Sequence, residues 1–220
     1  MKILFIGNSY TFFNDMPAML EALALENGNE IIQHSVTKGG RHLYENLQDG
    51  DAYGEKIKEL ITQNDYDVLI LQEQSFFAIV DFDKFVYGVK ALKELVKAKR
   101  TILYSTWGRK TGSPKLKELA LTSEEMTEKL TKAYISASSI TNSEISPVGT
   151  AFLKITRAMP ETDLYKPDLS HPSYIGSAVG AICHYRAIFG KMPTVTDSLD
   201  LGETERKTLL SIISEAFDEK

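Results

Sequence analysis

A single cysteine, Cys183, in 220 residues excludes an internal disulfide, and with only four histidines beside it a Cys/His zinc cluster is excluded as well. Positive charge is also in short supply: 25 Lys and Arg stand against 30 Asp and Glu, a net charge of -5. No basic stripe exists to neutralise phosphates, so nucleic acid is not expected as a partner. Long hydrophobic runs are missing too. No apolar stretch approaches the roughly 20 residues of a bilayer span. The run after Lys2 is only Ile3 to Ile6, against about 7–15 residues for the core of a secretory signal, so a cytoplasmic location is expected. Internal repeats and low-complexity tracts are absent.

What remains is ordinary globular composition, 43% apolar and 25% charged, of a length that suits one domain over residues 1–220. Short apolar runs predict strands at about 2–6, 30–36, 67–71, 101–105 and 144–148. Helical spacing predicts helices at about 16–27, 52–63, 83–98, 122–139, 173–189 and 202–217. Asp15 reads as an N-cap with Pro17 behind it, and Thr122-x-x-Glu125 as a capping box. Gly190 and Pro193 close the helix before them. Segment 107–121 reads as irregular. This alternation implies a parallel sheet covered on both faces: an α/β fold, a three-layer α/β/α sandwich with a flavodoxin-like five-stranded parallel sheet.

In such a sheet every strand ends at one edge, so the loops after the strands share one crevice. They carry Gly7-Asn8-Ser9, Lys38-Gly39-Gly40-Arg41, Gln72-Glu73-Gln74-Ser75, Thr106-Trp107-Gly108 and, beyond the fifth strand, Asp168-Leu169-Ser170-His171-Pro172. Ser9 alone could be a turn residue, a phosphate ligand or a nucleophile. A histidine can take a serine proton only if its other ring nitrogen is held as the donor, and a carboxylate three residues earlier can hold it. Glycines let a backbone N–H approach an oxyanion without a Cβ in the way. The elbow Gly-x-Ser-x-Gly is not matched, because position 11 is Thr, which disfavours the α/β-hydrolase superfamily.

The ordered blocks "IGNSYT", "KGGRHL", "LQEQS" and "DLSHPSYIG", spread from Ile3 to about Gly190, resemble those of the SGNH (GDSL-like) hydrolases. The resemblance implies Ser9 as nucleophile, His171 as general base and Asp168 as its partner. It also implies an oxyanion hole made by the backbone N–H groups of Ser9 and Gly40, with Gly39 as the fallback, and by a side-chain amide from the third block. The family's Asn is absent there and Gln74 stands in its place, with Gln72 two residues away on the same side of an extended backbone. The implied activity is serine esterase chemistry on small acyl esters, acetylated carbohydrates foremost, with lysophospholipase or thioesterase substrates as the alternative. It needs no metal or organic cofactor; the oligomeric state is left open.

The competing class is a non-catalytic flavodoxin-like binder whose Asn8-Ser9-Tyr10-Thr11 loop holds a flavin phosphate. That reading predicts a yellow protein and leaves Asp168 and His171 without a role. Trp107, on the active edge, is expected either to line a substrate pocket or to belong to the core. His34 and His184 fall within a strand and a helix and read as structural. His42 follows the second-strand loop and is a lesser candidate for the cleft. Cys183 sits on an apolar pattern and reads as a buried, inert thiol.

Overall fold

The computed structural model describes residues 1–218. Five strands, β1 (Lys2–Gly7), β2 (Ile32–Thr37), β3 (Val68–Leu71), β4 (Arg100–Tyr104) and β5 (Glu144–Ser146), form one sheet in the order β2-β1-β3-β4-β5, every neighbouring pair parallel. The chain therefore builds outward from β1 in one direction and then in the other, and β1 and β3 flank the point where that direction changes. At such a switch point the loops diverge and leave a crevice. Gly7-Asn8-Ser9 leaves β1 there, and Gln72-Glu73-Gln74 leaves β3.

Side chains alternate along each strand between two cores. Ile3 and Phe5 of β1, Ile70 of β3 and Ile102 of β4 pack against α2 (Met16–Glu26), α8 (Val148–Ala158), α9 (Tyr174–Phe189) and α10 (Glu203–Ala216). Leu4, Ile6, Leu69, Leu71 and Leu103 face the opposite way onto α3 (Ala52–Gln63), α5 (Phe82–Val96) and α7 (Ser123–Thr141). Short helices α1 (Ser9–Phe12), α4 (Phe77–Val80) and α6 (Pro114–Glu118), with 3-10 turns at Phe13–Asp15 and Leu43–Leu47, fill the loops at the strands' C-terminal edge. Among the described residues no helix is long and apolar enough to cross a membrane.

The capping box starts α7 as its sequence indicates. Thr122 Oγ1 accepts from Glu125 N–H at 3.1 Å, and Glu125 Oε2 accepts from Thr122 N–H at 2.8 Å. Gly190 ends α9 with φ of 73°, a left-handed cap that costs a glycine little. Three expectations need correction. Asp15 does stand at the N-cap of α2, but it is left-handed (φ 53°) and its side chain caps nothing. Asn14 before it is left-handed as well, and its amide donates to Pro172 O, Ser173 O and Ser177 Oγ, so this turn is set by contact with α9. The second correction is α6, which occupies part of the segment read as irregular. The third is α8, an 11-residue helix, where the sequence reads as one helical turn or two between the fifth strand and Asp168.

Helix α8 was obscured by Pro147 and Gly149, which read as breakers. Its apolar residues Val148, Ala151, Phe152 and Ile155 nevertheless follow helical spacing. Pro147 sits at the N-cap, where its missing N–H costs nothing. Gly149 is there because the backbone of β4's loop runs against it: a Cβ at position 149 would lie 2.1 Å from Thr106 O. Gly149→Ala is therefore expected to lower unfolding free energy by roughly 1–3 kcal/mol, the usual cost of overpacking a tight contact, read from urea denaturation midpoints.

Candidate active site

The nucleophile loop is built from β1 outward. Gly7 must be glycine because a Cβ there would meet Thr11 Oγ1 at 2.7 Å and Gln72 Oε1 at 2.8 Å. Asn8 caps α1, its Oδ1 accepting from Tyr10 N–H at 3.2 Å, while its Nδ2 donates to Arg41 O at 3.0 Å on the second-strand loop. From below, Gln72 Oε1 accepts from Asn8 N–H and from Thr11 Oγ1, both at 2.9 Å. Ser9 is thereby fixed at the first residue of α1, 8% exposed.

The loop before α9 arrives from the far side. Asp168 Oδ1 accepts from the N–H groups of Ser170 (3.0 Å) and His171 (2.9 Å), which folds the loop around the carboxylate. Its Oδ2 lies 2.6 Å from His171 Nδ1, and His171 Nε2 lies 2.9 Å from Ser9 Oγ. Burial works to raise the Asp168 carboxyl, but the His171 ring and the two N–H groups outweigh it and hold the group below its ordinary value. Asp168 is thus an anion in contact with the imidazole. Phe13 stacks on the His171 ring at 4.4 Å and Tyr10 meets its edge at 5.6 Å, so the ring is confined on two sides.

Gly40 takes φ of 72° in the turn Lys38–Arg41, a conformation that favours glycine, whereas Gly39 is not left-handed. The Ser9 and Gly40 N–H groups find no intramolecular acceptor among the described residues. Arg41 is buried behind the turn, its Nε donating to Asn46 Oδ1 at 2.8 Å and its Nη2 pairing with Asp51. The loop's other anchor is Glu73, fully buried just past β3. It accepts from Gln74 N–H at 2.6 Å, from Leu43 N–H at 3.3 Å and from His42 Nδ1 at 3.3 Å. His42 is consequently held on the loop, stacked near Phe77 and Tyr44.

Of the two glutamines, Gln72 is fully used. Besides its Oε1 contacts, its Nε2 donates to Glu73 O at 2.6 Å, so it braces the nucleophile loop. Gln74 is not: its Oε1 is buried and has no partner. Trp107 is 0% exposed, stacked between Tyr10 and Phe152, with Nε1 donating to Ser170 O at 3.1 Å. Of its two expected places, substrate pocket or core, it takes the core and touches no accessible surface. His34 pairs through Nδ1 with Tyr66 Oη at 2.7 Å. Burial depresses His184 to about 3, so it stays neutral in the core, and burial pushes the Cys183 thiol up.

The sequence matches no family model and no curated protein. Solved structures do match. One is described as a candidate SGNH hydrolase from Slackia heliotrinireducens, 27% identical, covering 86% of this chain and 98% of that one at a TM-score of 0.75. This is the SGNH (GDSL-like) hydrolase fold. A DUF4886 family protein from Bacteroides uniformis aligns over all of this chain and 95% of its own, at 18% identity and a TM-score of 0.83. An acetyl-xylooligosaccharide esterase from Geobacillus aligns over 89% of this chain and 95% of its own, at 15% identity and a TM-score of 0.55.

Within this SGNH fold the residues the sequence did not single out are Glu73, Arg41 and Tyr10. Glu73 alone left a signal, a carboxylate two residues past an apolar strand end. Burial is the largest influence on it and pushes its pKa up, against hydrogen bonds from His42, Gln74 and Leu43. A carboxyl raised on folding contributes stability that is fully present below its unfolded pKa and is lost as pH rises through the folded value. Wild type is therefore expected to lose stability relative to Glu73→Gln as pH climbs above about 4.5, the ordinary Glu value, with urea midpoints of both proteins compared across pH 4–8. Glu73→Leu, which leaves the Leu43 and Gln74 N–H groups without an acceptor, is expected to cost about 1–3 kcal/mol at pH 4 and less as the pH rises.

Proposed function

We propose that the protein is a serine ester hydrolase in which Ser9 is the nucleophile, His171 the general base and Asp168 the group that orients and stabilises the imidazolium. The observation that carries this reading is the unbroken contact from Asp168 Oδ2 through His171 to Ser9 Oγ, at 2.6 and 2.9 Å. With Nδ1–H donated to Asp168, Nε2 is the free base, and it faces the hydroxyl whose proton it would take. Ser9 Oγ attacks the ester carbonyl, and His171 passes the proton to the departing alkoxide. Water then enters, gives a proton to His171 and releases the acyl group by the same steps in reverse.

The oxyanion formed at each stage requires donors about 2.7–3.1 Å from the developing charge. The N–H groups of Ser9 and Gly40 are unpaired and belong to the two loops that Asn8 links, which supports their assignment to the hole. Gln74 supplies the third donor in this reading: its Oε1 has no partner among the described residues, so that atom does not tie the amide down, whereas the Nε2 of Gln72 is committed to Glu73 O. Small acyl esters, acetyl groups on carbohydrates foremost, are the proposed substrates, supported by the likeness to an acetyl-xylooligosaccharide esterase.

Incubation with p-nitrophenyl acetate and with a fluorophosphonate, followed by mass spectrometry of the labelled peptide, tests the assignment. Turnover and a label on Ser9 are expected, and Ser9→Ala should lose both while its melting temperature stays nearly unchanged. Retained turnover in Ser9→Ala would remove Ser9 from the mechanism. Asp168→Asn is expected to cost less than His171→Ala. Gln74→Ala is expected to lower kcat by roughly 10²–10³-fold with little change in KM, because an oxyanion donor acts in the transition state.

A further inference from the structure

Beneath Ser9 and His171 lies a row of buried polar groups that the chemistry above leaves unused. Arg109, half-buried on the loop after β4, donates from Nη2 to Ser75 Oγ at 3.1 Å. Tyr10 Oη donates to Ser75 Oγ over a longer 3.4 Å and lies 2.8 Å from Ser170 Oγ. Ser75, Tyr10 and Ser170 are each at most 3% exposed. Each is also the immediate neighbour of a residue assigned to the reaction: Ser75 follows Gln74, Tyr10 follows Ser9, and Ser170 precedes His171. Two further bonds close the row at its ends, Lys110 N–H donating to Leu169 O at 2.9 Å and the Thr106 hydroxyl donating from Oγ1 to Ser75 O at 2.8 Å.

Arg109 is the one cation of the row. Arg41, Arg100, Arg157 and Arg206 each pair with a carboxylate, whereas Arg109, like Arg186, pairs with none among the described residues. Its Nε is buried and has no partner among the described residues, while its guanidinium lies 5.9 Å from the Phe76 ring centre. A partly desolvated cation without a counter-charge is a poor choice for stability alone. It does have one property that a row of hydroxyls lacks. Hydroxyls donate or accept equally well and can reverse together, whereas a guanidinium only donates. With Arg109 and Tyr10 both donating to Ser75, the Tyr10 oxygen is left to accept from Ser170, and the donors converge on the Ser75 oxygen from both sides.

We propose that Arg109 is a positioning residue for the reaction: through Ser75, Tyr10 and Ser170 it locks the nucleophile, oxyanion and base loops in one mutual register. The proposal rests on Ser9 and His171 acting as assigned above. Its effect falls on the chemical step, since a displacement of about 1 Å between reacting groups can cost on the order of 10²-fold in rate. Binding of a small ester, which needs no such alignment, is affected far less.

The test measures kcat and KM on p-nitrophenyl acetate, together with the second-order rate of fluorophosphonate labelling, for wild type, Arg109→Met, Tyr10→Phe and the double variant. Arg109→Met and Tyr10→Phe are each expected to lower kcat and labelling about 10–100-fold with KM within about two-fold, and the double variant to be no worse than the poorer single one. Arg109→Lys, which restores a donor without the fork, should recover part of the loss. Ser75→Ala cuts the row without touching the guanidinium, and it decides the matter should Arg109→Met fail to fold. Changes of less than two-fold in kcat, losses confined to KM, or additive losses in the double variant overturn the proposal. A wild type that neither turns over ester nor takes label at Ser9 overturns the esterase reading first and this inference with it, whereas an active wild type with indifferent variants overturns this inference alone.

Discussion

Two consecutive polar side chains past the end of β3 hold the active edge together. Gln72 sends its amide under the nucleophile loop, and Glu73 sends its carboxylate under the second-strand loop. Both are almost fully buried, where an unpaired amide or carboxylate would be costly, and both are satisfied by backbone N–H groups that would otherwise be orphans. β3 is the right strand for this duty because it lies beside β1, where the direction of sheet growth changes. The crevice a parallel sheet opens at that point would be a gap between independent loops. Here it is spanned by side chains that leave little freedom to either loop.

The demands of that edge explain several residues that look unremarkable in the core. Gly7 yields the space that Gln72 and Thr11 occupy, and Gly149 lets α8 dock on the loop of β4. Trp107 fills the volume between Tyr10 and Phe152, so the ring beneath Ser9 rests on an aromatic stack rather than on water. Above this rigid packing the Asp168 and His171 side chains remain partly open to solvent. Asp168 retains enough access to solvent to stay ionised, and three hydrogen bonds reinforce that state.

Much of this was legible in the sequence because it depends on local chemistry. Periodicity separates four-residue apolar strands from helices with a three- or four-residue stripe, and alternation of the two leaves a parallel sheet as the solution. Once the sheet is parallel, the five strand-end loops must share an edge, which is why Ser9, Gly40, Gln74, Asp168 and His171 could be grouped before any coordinate was known. The misreadings have two causes, one local and one distant. Pro147 and Gly149 hid α8, and the left-handed turn at Asn14 and Asp15 is imposed by contacts with α9, some 160 residues away in the chain. No propensity in a short window records such contacts.

By itself, then, the sequence determined the sheet, its two covered faces and the residues available to its working edge, since side-chain period and turn chemistry act over a few neighbours. Only the tertiary structure decided which of those residues meet and which are spent on support. It assigned Gln72 to bracing and left the Gln74 Oε1 unpartnered, put Trp107 in the core, and gave Glu73 a buried position and Arg109 a half-buried one that composition could not reveal. The physical reason is that burial and hydrogen-bond satisfaction are properties of three-dimensional neighbourhoods. Two glutamines separated by a single residue are alike in sequence, and they differ only in what lies within 3 Å of their amides.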